Sequence, residues 1–135
     1  MTEPSNTSPP KHTPTEGLYG WITHTELASA DPGTTKDWCA KVFGWTFMAS
    51  FPTPVGGEYH LFSYSDQGGG GIRSMSAGEA PESIPFIHVR DAQEAFDNAL
   101  REGAEEVLKP NRMTEGVTIA VVRAPGGVSI GLSGP

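Results

Sequence analysis

Two side chains able to do chemistry, His24 and Glu26, stand two residues apart in the run GLYGWITHTELASA (17–30). The run is rich in threonine and β-branched residues and reads as a strand, so a spacing of two puts both on one face. A glutamate flanked by Thr25 and Leu27 on a strand that lines a pocket is suited to act as a general base. The neighbouring imidazole can hold a substrate oxygen or a divalent metal. His88 has strand parity matching His24, and His60 lies in a further strand with either face open to it. If these converge with Glu26, they form a set of two or three histidines and a carboxylate, adequate for zinc, nickel or iron. The plainer reading makes them hydrogen-bonded groups at strand ends or pocket walls, with Glu26 accepting from backbone, a histidine, Arg73 or Arg90. The residues leave both readings open.

Other conspicuous residues carry less. Trp21, Trp45, Phe47, Phe62 and Phe86 are either aromatic walls of a pocket or plain core. Cys39 falls on the apolar side of a helix with no histidine at helical spacing, so it reads as a small buried hydrophobe. The run Gly68–Gly71 lacks the Gly-Lys-Ser/Thr ending of a phosphate loop and leads into a strand, so it reads as a hairpin turn together with Asp66 and Gln67. His12 is given no role.

The elements that must position these residues follow from punctuation and periodicity. Residues 1–16 hold four prolines and only Met1 as an apolar residue, and are expected to be a disordered tail. Strands are expected over 17–30, 45–51, 58–64 and 72–76, and again over 84–90, 104–109, 117–124 and 128–133. The 52–57 segment, with Pro52, Pro54, Gly56 and Gly57, is expected to be a loop. Asp31-Pro32 opens a helix over 32–43 with Trp38, Cys39, Val42 and Phe43 at helical spacing, and Gly44 closes it. Asp91 opens a second helix, Glu94 completing a capping box and Ala92, Ala95, Phe96, Ala99 and Leu100 forming its apolar face, with Gly103 at its end. The two capping aspartates are 60 residues apart, and glycine pairs precede the last strand of each half. The ordered part, 17–135, therefore divides into two βαβββ modules, about 18–76 and 84–134. This is an α+β fold of curved mixed sheets around a cup, and such a cup is a natural ligand site.

Composition narrows the partners. Sixteen acidic against nine basic residues give a net charge of −7. That balance argues against nucleic acid and against anionic membrane surfaces. One cysteine permits no intramolecular disulfide and suits a cytoplasmic setting, and no apolar run approaches a membrane span.

The chain resembles the vicinal oxygen chelate superfamily, the glyoxalase, bleomycin-resistance and extradiol dioxygenase group. The resemblance rests on THTELASADPGTTKDWCAKVFGW (23–45), IHVRDAQEAFDNALREGAEEV (87–107) and APGGVSIGL (124–132), and covers 20–134. It is strongest with the branch related to lactoylglutathione lyase. The final turn, Ala124-Pro125-Gly126-Gly127, departs from that branch by lacking its aspartate and asparagine, and Trp38-Cys39 stand where Phe-Tyr is usual.

In metal-dependent members, pseudo-symmetry places four ligand slots, which here fall on His24, Met75, Ile84 and Gly131; only His24 can ligate. The resemblance thus implies a protein that binds a small organic molecule in the cup without the family-type metal site, with His24, Glu26, His60, His88 and Phe86 as ligand-binding residues. The alternative is a lyase, isomerase or epimerase acting on a small carbonyl compound, with Glu26 as base and His24 as metal ligand, or an accessory subunit whose cup a partner closes. A homodimer is expected, since members commonly pair and each half leaves an open sheet edge.

Overall fold

The computed structural model describes residues 17–53, 57–65 and 68–135. The expected tail, Pro54 to Gly56 of the expected loop, and Asp66-Gln67 of the expected turn lie outside those residues. Among the described residues nine strands and two helices are formed: β1 (Ile22–Ser29), α1 (Pro32–Phe43), β2 (Thr46–Phe47), β3 (Phe51–Pro52), β4 (Glu58–Ser65), β5 (Gly68–Ser74), β6 (Glu82–His88), α2 (Ala92–Arg101), β7 (Glu105–Thr114), β8 (Val117–Arg123) and β9 (Ser129–Gly134). No helix among the described residues is long and apolar enough to cross a membrane. The described residues fall into two compact units, 26–83 and 17–25 with 84–135, the division passing through β1.

Both helices start where the aspartates require. The Asp31 side chain accepts from the Thr34 amide at 3.2 Å, and the Asp91 side chain accepts from the Glu94 amide at 2.9 Å. Each satisfies an amide that the first helical turn leaves without a partner. Gly44 closes α1 in the left-handed region, φ 72°, where a side chain would be strained.

In the first unit, β4 is the hub, pairing antiparallel with β2, β3 and β5. Residues 45–51, read as one strand, are instead two short ones that meet β4 at separate places, Thr46 opposite Ser63 and Phe51 opposite Tyr59. The glycine run is no turn: Gly68 to Gly71 form the first half of β5 and pair with Ser65 to Leu61. Glycine is required there because rings from β4 lie across the strand. A Cβ on Gly71 would fall inside the Tyr59 ring, and one on Gly68 would press on Tyr64.

The side chains of β1 alternate. Ser29 bonds Thr35 of α1 through their hydroxyls at 2.7 Å, so the face carrying Glu26 and Ala28 points away from α1. Of the apolar residues on α1 only Cys39 is buried, while Trp38, Val42 and Phe43 are more than half exposed. A ladder of rings, Trp38–Phe43–Trp45–Phe62, runs from this helix to β4.

In the second unit, β6 pairs parallel with β9, and β9 and β7 flank β8 antiparallel. Here α2 behaves as its pattern predicts. Phe96 packs with Ala120, Val122 and Leu132, and Ala95, Ala99 and Leu100 close around them. The opposite sheet face carries Ile84, Phe86 and Val121. Strand β7 does not stop at Pro110 but continues to Thr114. The proline lies where the pairing with β8 shifts register, a place that tolerates a missing amide donor.

Candidate functional site

The polar centre of the first unit is built on the face of β1, β4 and β5 that points away from α1. Glu26 is fixed there by two donors: the Tyr59 hydroxyl reaches Oε1 at 3.1 Å and Arg73 Nε reaches Oε2 at 2.8 Å. Arg73 then forks onto Glu79, Nη1 to Oε1 at 2.7 Å and Nη2 to Oε2 at 2.8 Å, and Nη1 also donates to the Ser74 carbonyl. Glu79 accepts in addition from the Ser76 amide at 2.8 Å. Two carboxylates share one guanidinium, leaving one negative charge on a largely buried cluster.

The local fold explains why the groups meet. In β4 and β5 the His60–Ile72 pair faces one way, so Tyr59 and Arg73 face the other. Gly71 lets the Tyr59 ring lie flat across β5, and Phe51 stacks on that ring at 5.5 Å with the planes 5° apart.

This arrangement sets the proton affinities. Burial, then the adjacent Glu26 charge and its hydrogen bond, push the Tyr59 phenol well above its ordinary value, Arg73 opposing in part. Tyr59 is thus a fixed hydrogen-bond donor. The hydrogen bonds from Arg73 hold the Glu79 carboxyl below its ordinary value, against partial burial and with help from the Ser76 amide. Glu79 in turn raises the affinity of Arg73 for its proton, so the guanidinium is a permanent cation.

His60, on the Phe62 and Ile72 face of β4, points away from Tyr59; it is buried and its Nδ1 has no hydrogen-bond partner. In the second unit His24 meets the Phe86 ring edge to face, with ring centroids 5.6 Å apart. His88, two residues beyond Phe86 on the same face of β6, is 1% exposed, with Nε2 unpartnered. Tyr19 stacks on it at 5.0 Å and Arg90 covers Tyr19 at 4.1 Å.

Among the described residues no three of His, Cys, Asp and Glu gather as a metal would require. The slots of the metal-dependent relatives are filled with hydrocarbon in the second unit. Ile84 is core, and Gly131 lies beneath the Phe86 ring, which a Cβ there would strike. Met75 lies past the end of β5. The residues present do not fit a family-type metal.

The sequence reading named Arg73 only as a partner for Glu26, and missed Tyr59 and Glu79. Tyr59 carried a signal, since the alternation of EYHLFSY sets it opposite in facing to His60. Glu79 carried none, lying outside any strand or helix.

The model of the Glyoxalase/Bleomycin resistance protein/Dioxygenase superfamily matches residues 21–132. No curated protein matches the chain. A hypothetical protein from Bacillus halodurans C-125 is similar in structure, with TM-score 0.67, 12% identity, and 84% of this chain and 92% of that one covered. A variant of Streptomyces coelicolor methylmalonyl-CoA epimerase, in complex with 2-nitronate-propionyl-CoA, gives TM-score 0.64 at 16% identity over 87% and 97% of the two chains. Methylmalonyl-CoA epimerase from Mycobacterium tuberculosis gives 0.64 at 17% over 92% and 93%. At such identities the likeness speaks for the fold. With the family model spanning both halves, the chain belongs to the glyoxalase/bleomycin resistance protein/dioxygenase superfamily.

Proposed function

We propose that the chain binds a small organic molecule on the face of the first unit that carries Glu26, Tyr59 and Arg73, without family-type metal ligation. The observation that carries this reading is the cluster itself. A face that only had to pack gains nothing from charged groups, and Ile84, Phe86 and Val121 pack against one another in the second unit without them. Taking ions out of water is expensive, and apolar replacements of buried ion pairs are often as stable or more so. Charged groups retained on a strand face, with perturbed proton affinities and an aromatic pair beside them, mark a binding site more readily than a stability device.

A thermal-shift screen of aromatic and carbonyl compounds tests it. Binders should raise the melting temperature of the wild type and lose that effect in Glu26→Gln. A blank screen overturns the reading. Alanine variants at His24, His60, His88 and Phe86 in the same screen test whether these residues also contact the ligand. The reading includes a homodimer located in the cytoplasm, and gel filtration tests the dimer.

A second reading keeps Glu26 as a general base on a carbonyl compound. It is favoured by the epimerases among the similar structures and by the geometry at Glu26, where Tyr59 takes a lone pair of one oxygen and Arg73 a lone pair of the other. Incubation in deuterated water with small ketones and thioesters tests it. Deuterium incorporation beside the carbonyl that vanishes in Glu26→Gln supports catalysis, and none in the wild type refutes it.

A further inference from the structure

Resting on that binding reading, we propose that Glu79 is an internal stand-in for an acidic ligand, and that Arg73 is the receptor for the carboxylate of an incoming organic acid. The fork between Arg73 and Glu79, two nearly parallel N–H···O bonds of 2.7 and 2.8 Å, is the geometry in which a guanidinium takes a carboxylate from any source.

The two acidic partners of Arg73 are not equivalent. Glu26 belongs to β1 and is held from two other strands, by Tyr59 of β4 and Arg73 of β5. Glu79 lies in the segment between β5 and β6, in a tight turn closed by its own amide onto the Ser76 carbonyl at 3.0 Å, with Gly78 at φ 80°. That turn also satisfies itself through the Glu79 side chain, which accepts from the Ser76 amide. It can therefore swing away as one piece, carrying its carboxylate, without breaking a strand.

Charge favours exchange over simple addition. With Glu79 in place, an incoming anion meets a cluster already carrying one net negative charge. With Glu79 displaced, Arg73 and Glu26 form a neutral pair, and both Nη groups face the vacated position. A ligand carboxylate there restores the original charge and the original pair of hydrogen bonds. The exchange preserves the electrostatics of the site and costs the opening of one turn. The ligand's apparent affinity is then its intrinsic affinity reduced by the fraction of molecules in which the turn is open.

Benzoate is the probe, with benzamide as its neutral isostere, titrated by calorimetry into wild type, Glu79→Ala and Glu79→Gln. Glu79→Ala should bind benzoate at least about tenfold tighter than the wild type, because the competing group is gone. Glu79→Gln should show a smaller gain, since the amide still occupies the position but lacks the charge, and it serves if the alanine variant folds poorly. Benzamide should gain in neither. The proposal is overturned if neither variant gains benzoate affinity, or if benzamide gains as much as benzoate. Wild-type binding of neutral compounds in the screen, alongside unchanged benzoate affinity in both variants, would sink this inference while leaving the binding function intact. A blank screen with a tenfold gain in Glu79→Ala would sink the broader function and leave the receptor role of Arg73.

Discussion

Replacing Arg73 with methionine removes one cation and strands two carboxylates. The substitution deletes four hydrogen bonds, one to Glu26, two to Glu79 and one to the Ser74 carbonyl. Breaking a buried ion pair from one side typically costs about 3–5 kcal/mol, while exposed pairs are worth less than about 1 kcal/mol. The side chains here are 17% (Arg73), 12% (Glu26) and 16% (Glu79) exposed, close to the buried limit but with some access to water. A loss of about 3 kcal/mol is therefore expected. Urea unfolding at pH 7 measures it, with an unchanged slope showing that the same surface is exposed on unfolding. Glu26→Gln in the Arg73→Met background should then cost less than it does alone, because the carboxylate it removes is no longer paired. A coupling of about 1–3 kcal/mol between the two positions is expected from groups in direct contact. A loss below about 0.5 kcal/mol for Arg73→Met, the range of ordinary surface substitutions, would refute the premise that these charges are held out of water.

Three further outcomes follow from the same geometry. The Glu79 carboxyl is held below its ordinary value of 4.5, so its contribution to stability is complete above pH 4.5 and fades as pH falls through the lower folded value. The difference in urea midpoint between wild type and Glu79→Gln should hold steady from pH 7 to 5 and shrink below that; a difference that persists at low pH contradicts the ion pair. The Tyr59 phenol is held above 10, so its contribution is complete below pH 10 and is lost as pH rises toward the folded value. In an alkaline titration at an absorbance reporting phenolate, one of the three tyrosines should ionise only as the protein unfolds, and full reversible ionisation of all three in the folded state would count against its burial. Gly71→Ala should lower stability by about 1–3 kcal/mol, the usual cost of overpacking, because the new methyl displaces the Tyr59 ring. The same variant should weaken any ligand that depends on Tyr59, and an unchanged melting temperature would show that the ring does not rest on that glycine.

How far the sequence carried depended on the range of the cause. Helix starts were legible because Asp31 and Asp91 act on amides three residues away. The apolar face of α2 was legible because its packing follows its own periodicity, whereas α1 has the same kind of residues and leaves Trp38, Val42 and Phe43 outside. The glycine run misled for a non-local reason: the rings that require it belong to β4, and nothing within the run announces them. Pro110 misled for a related reason, since whether a proline ends a strand depends on where the neighbouring strand's register shifts.

At the site, the Glu26–Arg73 contact was among the readings kept open, and it formed at 2.8 Å. The bidentate partner Glu79 was invisible because a turn residue acquires its role only when the strand before it and the turn after it are folded together. In the second unit, Ile84 belongs to the core and Gly131 lies beneath the Phe86 ring, packing that no single position announces in the sequence.

The central claim, that Glu26, Tyr59 and Arg73 bind a small organic molecule without a family-type metal, is tested most directly by calorimetry of the strongest compound from the screen. The titration is run on wild type before and after dialysis against a chelator, and on Glu26→Gln. Affinity that survives chelation and falls at least about tenfold in Glu26→Gln, roughly the loss of one charge-assisted hydrogen bond, is the predicted result. Affinity that disappears with the metal, or that Glu26→Gln leaves unchanged, would contradict it.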